Sequence, residues 1–299
     1  MKSLNIKTGF KCNSCCKFCI QEEERFCGKD KTTKEIKEVL KDNSANFKGL
    51  ILTGGEITIR DDIFEIVKFA KECGYKIIQI QSNGRMFSYM DFCQKIIEAG
   101  ATEFGISLNG STKEIHDYLS CTEGSFEQTI QGIRNLKKLN KSVCTNTVLT
   151  RTNFKDLKNI IKMLIKMGVN GSRISFMQIN NSIKNDPKLI DELVPRYSEI
   201  KTYLENTIIM ANNEKYQLTL GGFPLCTLNK EFHENIVEEC IPDLFIYDKE
   251  GLIDFQKMLE SGIRKKEENC KHCQFNKDCI GPWLRYVQIF GFDEFIPIK

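Results

Sequence analysis

Short apolar runs alternate with longer amphipathic stretches through the first two thirds of the chain. Leu4 to Thr8 reads as a strand, and Gly49-Leu50-Ile51-Leu52-Thr53 as a second one, apolar enough to be buried. Lys76 to Gln81, Glu103 to Leu108, Ser142 to Leu149 and Arg173 to Ile179 bring the strands to six. Between them the apolar period lengthens to that of a helix. Lys34 to Leu40 has this pattern, and so do Phe126 to Leu139 and Pro195 to Ala211. Asp61 and Asp62 can cap a helix that carries Ile63, Ile66, Val67 and Ala70 on one face. Asp91 to Ala99 runs into Gly100, and Phe154 to Met167 into Gly168; glycine there is a good helix stop.

Six βα units in a row imply parallel strands joined by right-handed crossovers. They are too few for an eight-fold barrel. The expectation is an α/β fold, a partial (β/α)6 TIM-like barrel or an open doubly wound sheet, with its site at the C-terminal ends of the strands. After about Lys215 the pattern changes. Tyr216 to Leu220 with Gly221-Gly222-Phe223-Pro224-Leu225-Cys226 reads as a strand and turn, and Leu252 to Leu259 as a helix. A boundary near residue 212 divides a barrel, residues 1–212, from a small C-terminal extension, residues 213–299.

A length of 299 residues suits one large domain with a smaller one appended. No apolar run reaches the roughly 18 residues of a membrane span. Met1 to Lys7 lacks the apolar core of a signal peptide, so a cytoplasmic protein without membrane attachment is expected. A formal charge of +3 gives no case for nucleic acid. The count of 14 cysteines changes the picture, because clustered thiols in a reducing compartment are metal ligands first. Cys27, Cys73, Cys93, Cys121 and Cys144 are scattered and read as small hydrophobes.

The first cluster is Cys12-x3-Cys16-x2-Cys19. It offers three thiolates and leaves a coordination position open. Cys15 provides a second register, Cys12-x2-Cys15-x3-Cys19, and a zinc knuckle completed by Cys15 or Cys27 is the alternative. Thr53-Gly54-Gly55-Glu56 follows the second strand. Two glycines let backbone carbonyls approach a ligand, and a carboxylate pairs with an ammonium group. Gln81-Ser82-Asn83-Gly84 ends the third strand and Ser107-Leu108-Asn109-Gly110 the fourth, while Asn146 stands on the fifth.

With Phe18 before the third cysteine, these motifs in this order resemble the radical S-adenosylmethionine (SAM) superfamily, which places an aromatic residue there. The resemblance covers residues 4 to about 180 and favours Cys12, Cys16 and Cys19 as ligands of a SAM-binding 4Fe–4S cluster. It implies that Gly54, Gly55 and Glu56 meet the methionine amino group. Ser82, Asn83, Ser107 and Asn109 then serve the ribose and methionine with their hydroxyl and amide groups. Asn146 belongs to the strand that packs the adenine. Ile57 stands where the family often has Pro, a residue that shapes the turn. The implied reaction is one-electron cleavage of SAM to methionine and a 5′-deoxyadenosyl radical, which takes a hydrogen atom from substrate. A reducing donor such as flavodoxin or ferredoxin is the implied partner.

His116-Asp117 followed by Gly124-Ser125-Phe126 resembles the branch with C-terminal cluster-binding extensions. His116 is a candidate acid–base group, although a histidine in such a turn is more often structural. In the tail, Cys270-x2-Cys273-x5-Cys279 with Cys226 resembles a SPASM or twitch extension and implies one auxiliary 4Fe–4S cluster. Cys240 and His272 are spare ligands, and a four-cysteine zinc site is the alternative. Such extensions suit oxidative modification of a peptide or protein side chain, although, with the first strand so near the start, no separate N-terminal leader-recognition domain is expected. A small-molecule or cofactor-biosynthesis enzyme resembling the molybdopterin-precursor cyclases is the second reading. The ending Phe295-Ile-Pro-Ile-Lys299 lacks their Gly-Gly tail. An iron–sulfur electron carrier is the third, and it has no need of a SAM pocket.

Overall fold

The computed structural model describes residues 2–237, 243–248 and 251–299. Its centre is one sheet of nine strands: β1 Ser3–Lys7, β2 Gly49–Thr53, β3 Ile77–Ser82, β4 Glu103–Ser107, β5 Ser142–Leu149, β6 Gly171–Phe176, β7 Gln217–Gly221, β8 Leu244–Asp248 and β9 Gly251–Asp254. The spatial order is β7-β6-β5-β4-β3-β2-β1-β8-β9. Every neighbouring pair is parallel except β8 with β9. The expected partial TIM-like α/β barrel is therefore present, and it is extended at both edges.

Alternation along the strands divides polar from apolar. Ile78 and Ile80 of β3, Phe104 and Ile106 of β4, Val143 of β5 and Ile174 of β6 are fully buried beneath the helices. The residues between them point the other way. These are Gln79 and Gln81, Glu103 and Ser107, Asn146, and Arg173 with Ser175, all at least partly accessible. Helices Ile63–Glu72 and Leu157–Lys166 cover the apolar face with the stripes their sequences show: Ile63, Ile66, Val67 and Ala70 in one, Leu157, Ile160, Ile161 and Leu164 in the other. Thr32 and Glu35 form a reciprocal capping box at the start of helix Thr33–Asn43.

Three readings are corrected. The sixth strand ends at Phe176, three residues before the expected Ile179, because the chain turns so that Asn180 caps a short helix through Ile183 N–H. Leu252 lies in β9 and not in a helix. Pairing of Leu252 with Tyr247 overrides local helical preference, and only Phe255–Met258 forms a turn of helix. The run Leu244 to Asp248, to which the sequence pattern assigns no element, is β8, parallel to β1. The division expected near residue 212 falls at the end of helix Tyr197–Asn213, and β7, β8 and β9 beyond it join the same sheet.

The tail packs on the barrel through aromatic rings. Phe176 stacks on Tyr197 at 4.1 Å between centroids, and Phe223, Tyr286 and Phe295 meet Tyr197 edge-on. Tyr197 Oη donates to Gly222 O at 2.8 Å, and Arg196 pairs with Glu294 at 2.7 Å.

Candidate functional site

β1 leads straight into the cysteine loop, which is laced to the turn after β2. Thr8 N–H donates to Thr53 O at 2.8 Å, Gly55 N–H to Gly9 O at 2.8 Å and Glu56 N–H to Lys11 O at 2.7 Å. Side chains would prevent this fit. A Cβ on Gly55 would lie 2.2 Å from Lys11 O, and one on Gly54, whose φ is +151°, 2.5 Å from Gly9 O. Within the chain itself, then, the Gly-Gly pair makes room for the loop backbone. On the far side Cys15 and Lys17 N–H groups donate to Ser120 O and Leu119 O, both at 3.0 Å. Asn83 Nδ2 donates to Asn13 Oδ1 at 2.7 Å, and the Arg85 guanidinium donates to the Asn13 carbonyl.

A cavity of about 470 Å3 lies at the C-terminal ends of the strands. Cys12, Cys16 and Cys19 line it. Gly54, Gly55 and Glu56 line it too, as do Ser82 and Asn83, Ser107 and Asn109, and Asn146. Some of these candidates hold the walls together. Glu56 is buried and accepts hydrogen bonds from Thr58 N–H at 3.1 Å, Thr58 Oγ1 at 2.5 Å and Asn83 N–H at 2.7 Å. Burial pushes its carboxyl up, against the opposing pull of those bonds. Ser82 Oγ accepts Gly84 N–H at 2.9 Å, and Asn109 Oδ1 accepts Val148 N–H at 3.0 Å. Others keep bonding capacity. Asn146 Oδ1 accepts from Ser175 Oγ at 2.7 Å, but its amide N–H groups, like Ser107 Oγ, have no protein partner among the described residues.

The donor set fits an iron–sulfur cluster. Burial pushes the Cys16 thiol up to about 12, and the neighbouring Cys12 and Cys19 push the same way. Burial also raises Cys12. Crowded thiols stay protonated until a cation offsets their charge, and soft thiolates select iron–sulfur centres. Among the described residues no group of three His, Cys, Asp or Glu side chains is arranged to hold a single metal ion. Cys12, Cys16 and Cys19 line one cavity, which leaves room for a larger group between them.

His116 is not part of this lining. It is buried, its Nδ1 accepts Asn109 N–H at 3.1 Å, and burial lowers its pKa to about 4. It secures the turn after β4. A second cavity, about 30 Å3, is lined by Cys226, Cys270, Cys273 and Cys279. Burial pushes Cys226 up to about 12, with Cys279, Cys270 and Cys273 adding to it. His272 does not line this cavity, and Cys240 lies outside the described residues. The two cavities are neighbours along the chain, since Cys279, Gly281 and Pro282 border the second and Trp283 the first.

Three residues that line the main cavity or brace its loop have no role in the sequence reading. Arg25 lines the cavity and donates to Cys15 Sγ at 3.0 Å. Arg85 clamps the loop, and its signal was its place directly after Ser82-Asn83-Gly84. Trp283, the only tryptophan, carried a signal in following the last cysteine so closely.

A model described as the Radical SAM superfamily matches residues 6–164. An AdoMet-dependent heme synthase from Oleidesulfovibrio alaskensis is 32% identical over 161 residues, 52% of this chain and 40% of that protein. The chain thus spans less than half of that relative's length. A probable GTP 3′,8-cyclase from Sulfurisphaera tokodaii is 24% identical over 303 aligned positions, 91% of this chain and 95% of that protein. Among solved structures, Streptococcus suis SuiB bound to precursor peptide SuiA has a TM-score of 0.70 at 14% identity, covering 99% of this chain and 74% of SuiB. That likeness is one of fold.

Two outcomes follow from the geometry. Gly55→Ala should destabilise the metal-free protein by about 2 kcal/mol or more in chemical denaturation, since the added Cβ meets backbone. A wild-type midpoint would show that the loop tolerates it. For His116 the folded value of about 4 lies below the unfolded 6.5. The stabilisation is present above 6.5 and is lost as pH falls through 4, about 3 kcal/mol in all. His116→Gln should show a shallower loss of stability over that range.

Proposed function

The chain belongs to the radical SAM superfamily, and from that premise we propose that it abstracts a hydrogen atom from a peptide or protein side chain, leading to cross-linking or dehydrogenation. In this reading Cys12, Cys16 and Cys19 hold the SAM-binding 4Fe–4S cluster. Cys226, Cys270, Cys273 and Cys279 hold an auxiliary 4Fe–4S cluster in a SPASM- or twitch-like segment within residues 213–299. When bound, the first cluster supplies the electron that opens SAM to methionine and a 5′-deoxyadenosyl radical, and the second offers a place for the electron an oxidised substrate gives up.

The chain's own work is positioning and exclusion of water. The Gly54-Gly55 turn presents backbone groups beside the cysteine loop. Glu56, Ser82, Asn83 and Asn109 keep the walls in register, while the Ser107 hydroxyl and Asn146 amide remain for the ribose and adenine side of SAM. Phe176, Met177 and Leu259 are buried at the cavity wall and keep water from a reactive intermediate. The observation that carries the oxidative reading is the gathering of Cys226, Cys270, Cys273 and Cys279 around one small cavity next to the main one. The peptide substrate draws on SuiB, whose structure contains a precursor peptide.

A small-molecule substrate is the second reading. It is favoured by the alignment with the probable GTP 3′,8-cyclase, which runs through 91% of this chain. In both readings the reductant is a low-potential donor such as flavodoxin or ferredoxin. No helix among the described residues is long and apolar enough to cross a membrane. The proposal places the enzyme in the reducing cytoplasm, where its thiols survive, and involves neither nucleic acid nor membrane.

Anaerobically reconstituted protein should carry about eight irons in two cubane clusters; about four irons with one zinc would remove the auxiliary cluster. Cys16→Ala should abolish reductive SAM cleavage, and undiminished 5′-deoxyadenosine would move the ligand register to Cys15. Cys273→Ala should spare uncoupled SAM cleavage and stop product formation. Loss of all SAM cleavage in a folded Cys273→Ala protein would contradict an auxiliary role.

A further inference from the structure

Trp283 is about nine-tenths buried, with 9% of its surface exposed, and it lines the main cavity. Its indole Nε1–H is buried without a hydrogen-bond partner among the described residues. An unpaired buried donor costs free energy, so one retained at a cavity wall points to a partner that arrives from outside. The ring cannot easily turn to find another. The Arg264 guanidinium lies over it, 3.6 Å from the ring centroid, and donates to Gly281 O at 2.9 Å. The backbone joins Arg264 to Trp283 in an antiparallel bridge.

The surroundings define what the N–H can meet. Gly222, at φ +83°, stands on its edge, where a Cβ would lie 2.9 Å from Nε1. Only glycine fits so close an approach to the indole edge. Phe176, Met177 and Leu259 supply an apolar wall to the same cavity. The nearby cation, Arg173, packs against Gly221 and already donates to Val237 O at 2.8 Å. The SAM candidates stand on or just after β1 to β5, whereas this wall belongs to β6, the end of β7 and the tail.

We propose that Trp283 is a substrate-binding residue whose indole N–H donates a hydrogen bond to a neutral carbonyl oxygen of a peptide substrate. A neutral acceptor suits a neutral donor whose neighbouring cation is already engaged, and the apolar wall receives the adjoining side chain. The proposal rests on reading the three-cysteine cavity as the radical SAM site, and extends it by giving the substrate a place and an anchor.

The test uses the cluster-loaded, SAM-bound enzyme with two probes, a pool of capped random heptapeptides and GTP. Because Trp283 is the only tryptophan, its emission reports binding directly. The peptide pool should shift that emission and raise 5′-deoxyadenosine above the uncoupled background. Trp283→Phe keeps a ring on Arg264 but loses the N–H. It should retain its melting temperature, while the KM for the pool rises tenfold or more and kcat changes less. Trp283→His, which restores a ring N–H, should recover part of the loss. An unchanged KM in Trp283→Phe would overturn the proposal, as would emission that neither probe moves. If GTP alone shifts the emission and drives cleavage, the peptide acceptor is overturned. If the pool shifts the emission of an enzyme that never cleaves SAM, the radical SAM reading of the cavity falls while the binding role of Trp283 is upheld.

Discussion

Backbone packed against backbone, with no room for a side chain, is the constraint on which this site depends. The Gly54-Gly55 turn lies on the carbonyls of Gly9 and Lys11, and three hydrogen bonds lock the cysteine loop to the end of β2. A loop of this kind has little core of its own. It takes its shape from the rigid strand end beneath it and from Leu119 and Ser120 on its other flank. Cys12, Cys16 and Cys19 therefore line one cavity. Burial raises the pKa of Cys16, and the neighbouring thiols add to it.

The sheet extends the same logic. Parallel strands bury one face beneath helices, so alternate residues are free to be polar. Gln79, Gln81, Glu103, Asn146 and Arg173 use that freedom on the concave side. The cavity thus has hydrogen-bonding walls on an apolar support. Its polar residues divide into those that bond one another, such as Glu56 with Asn83, and those that keep a group in reserve, such as Ser107. Rigid walls with a few unspent donors and acceptors are what a site needs to hold a ligand in one orientation.

The tail closes the arrangement. Stacking of Phe176 on Tyr197, with Tyr286 and Phe295 around them, fixes residues 279–283 between the two cysteine cavities. One short stretch then shapes both sites. Displacing it would disturb the second thiol set and the Trp283 wall together.

Local signals determined a good deal. The spacing of Cys12, Cys16 and Cys19, the Gly-Gly-Glu turn and the six βα units were legible because period, turn chemistry and metal-ligand spacing are short-range properties. Pairing partners were not. β8 joins β1 across more than two hundred residues of chain, and Leu252 became a strand residue only because Tyr247 lay beside it. The roles of individual polar groups were also decided in three dimensions. His116 next to Asp117 gives no hint that its ring accepts Asn109 N–H behind the cavity wall. Nor does the tail sequence tell that Trp283 keeps an N–H with no partner among the described residues. Hydrogen bonding and desolvation depend on neighbours distant in sequence, and only tertiary packing supplies them.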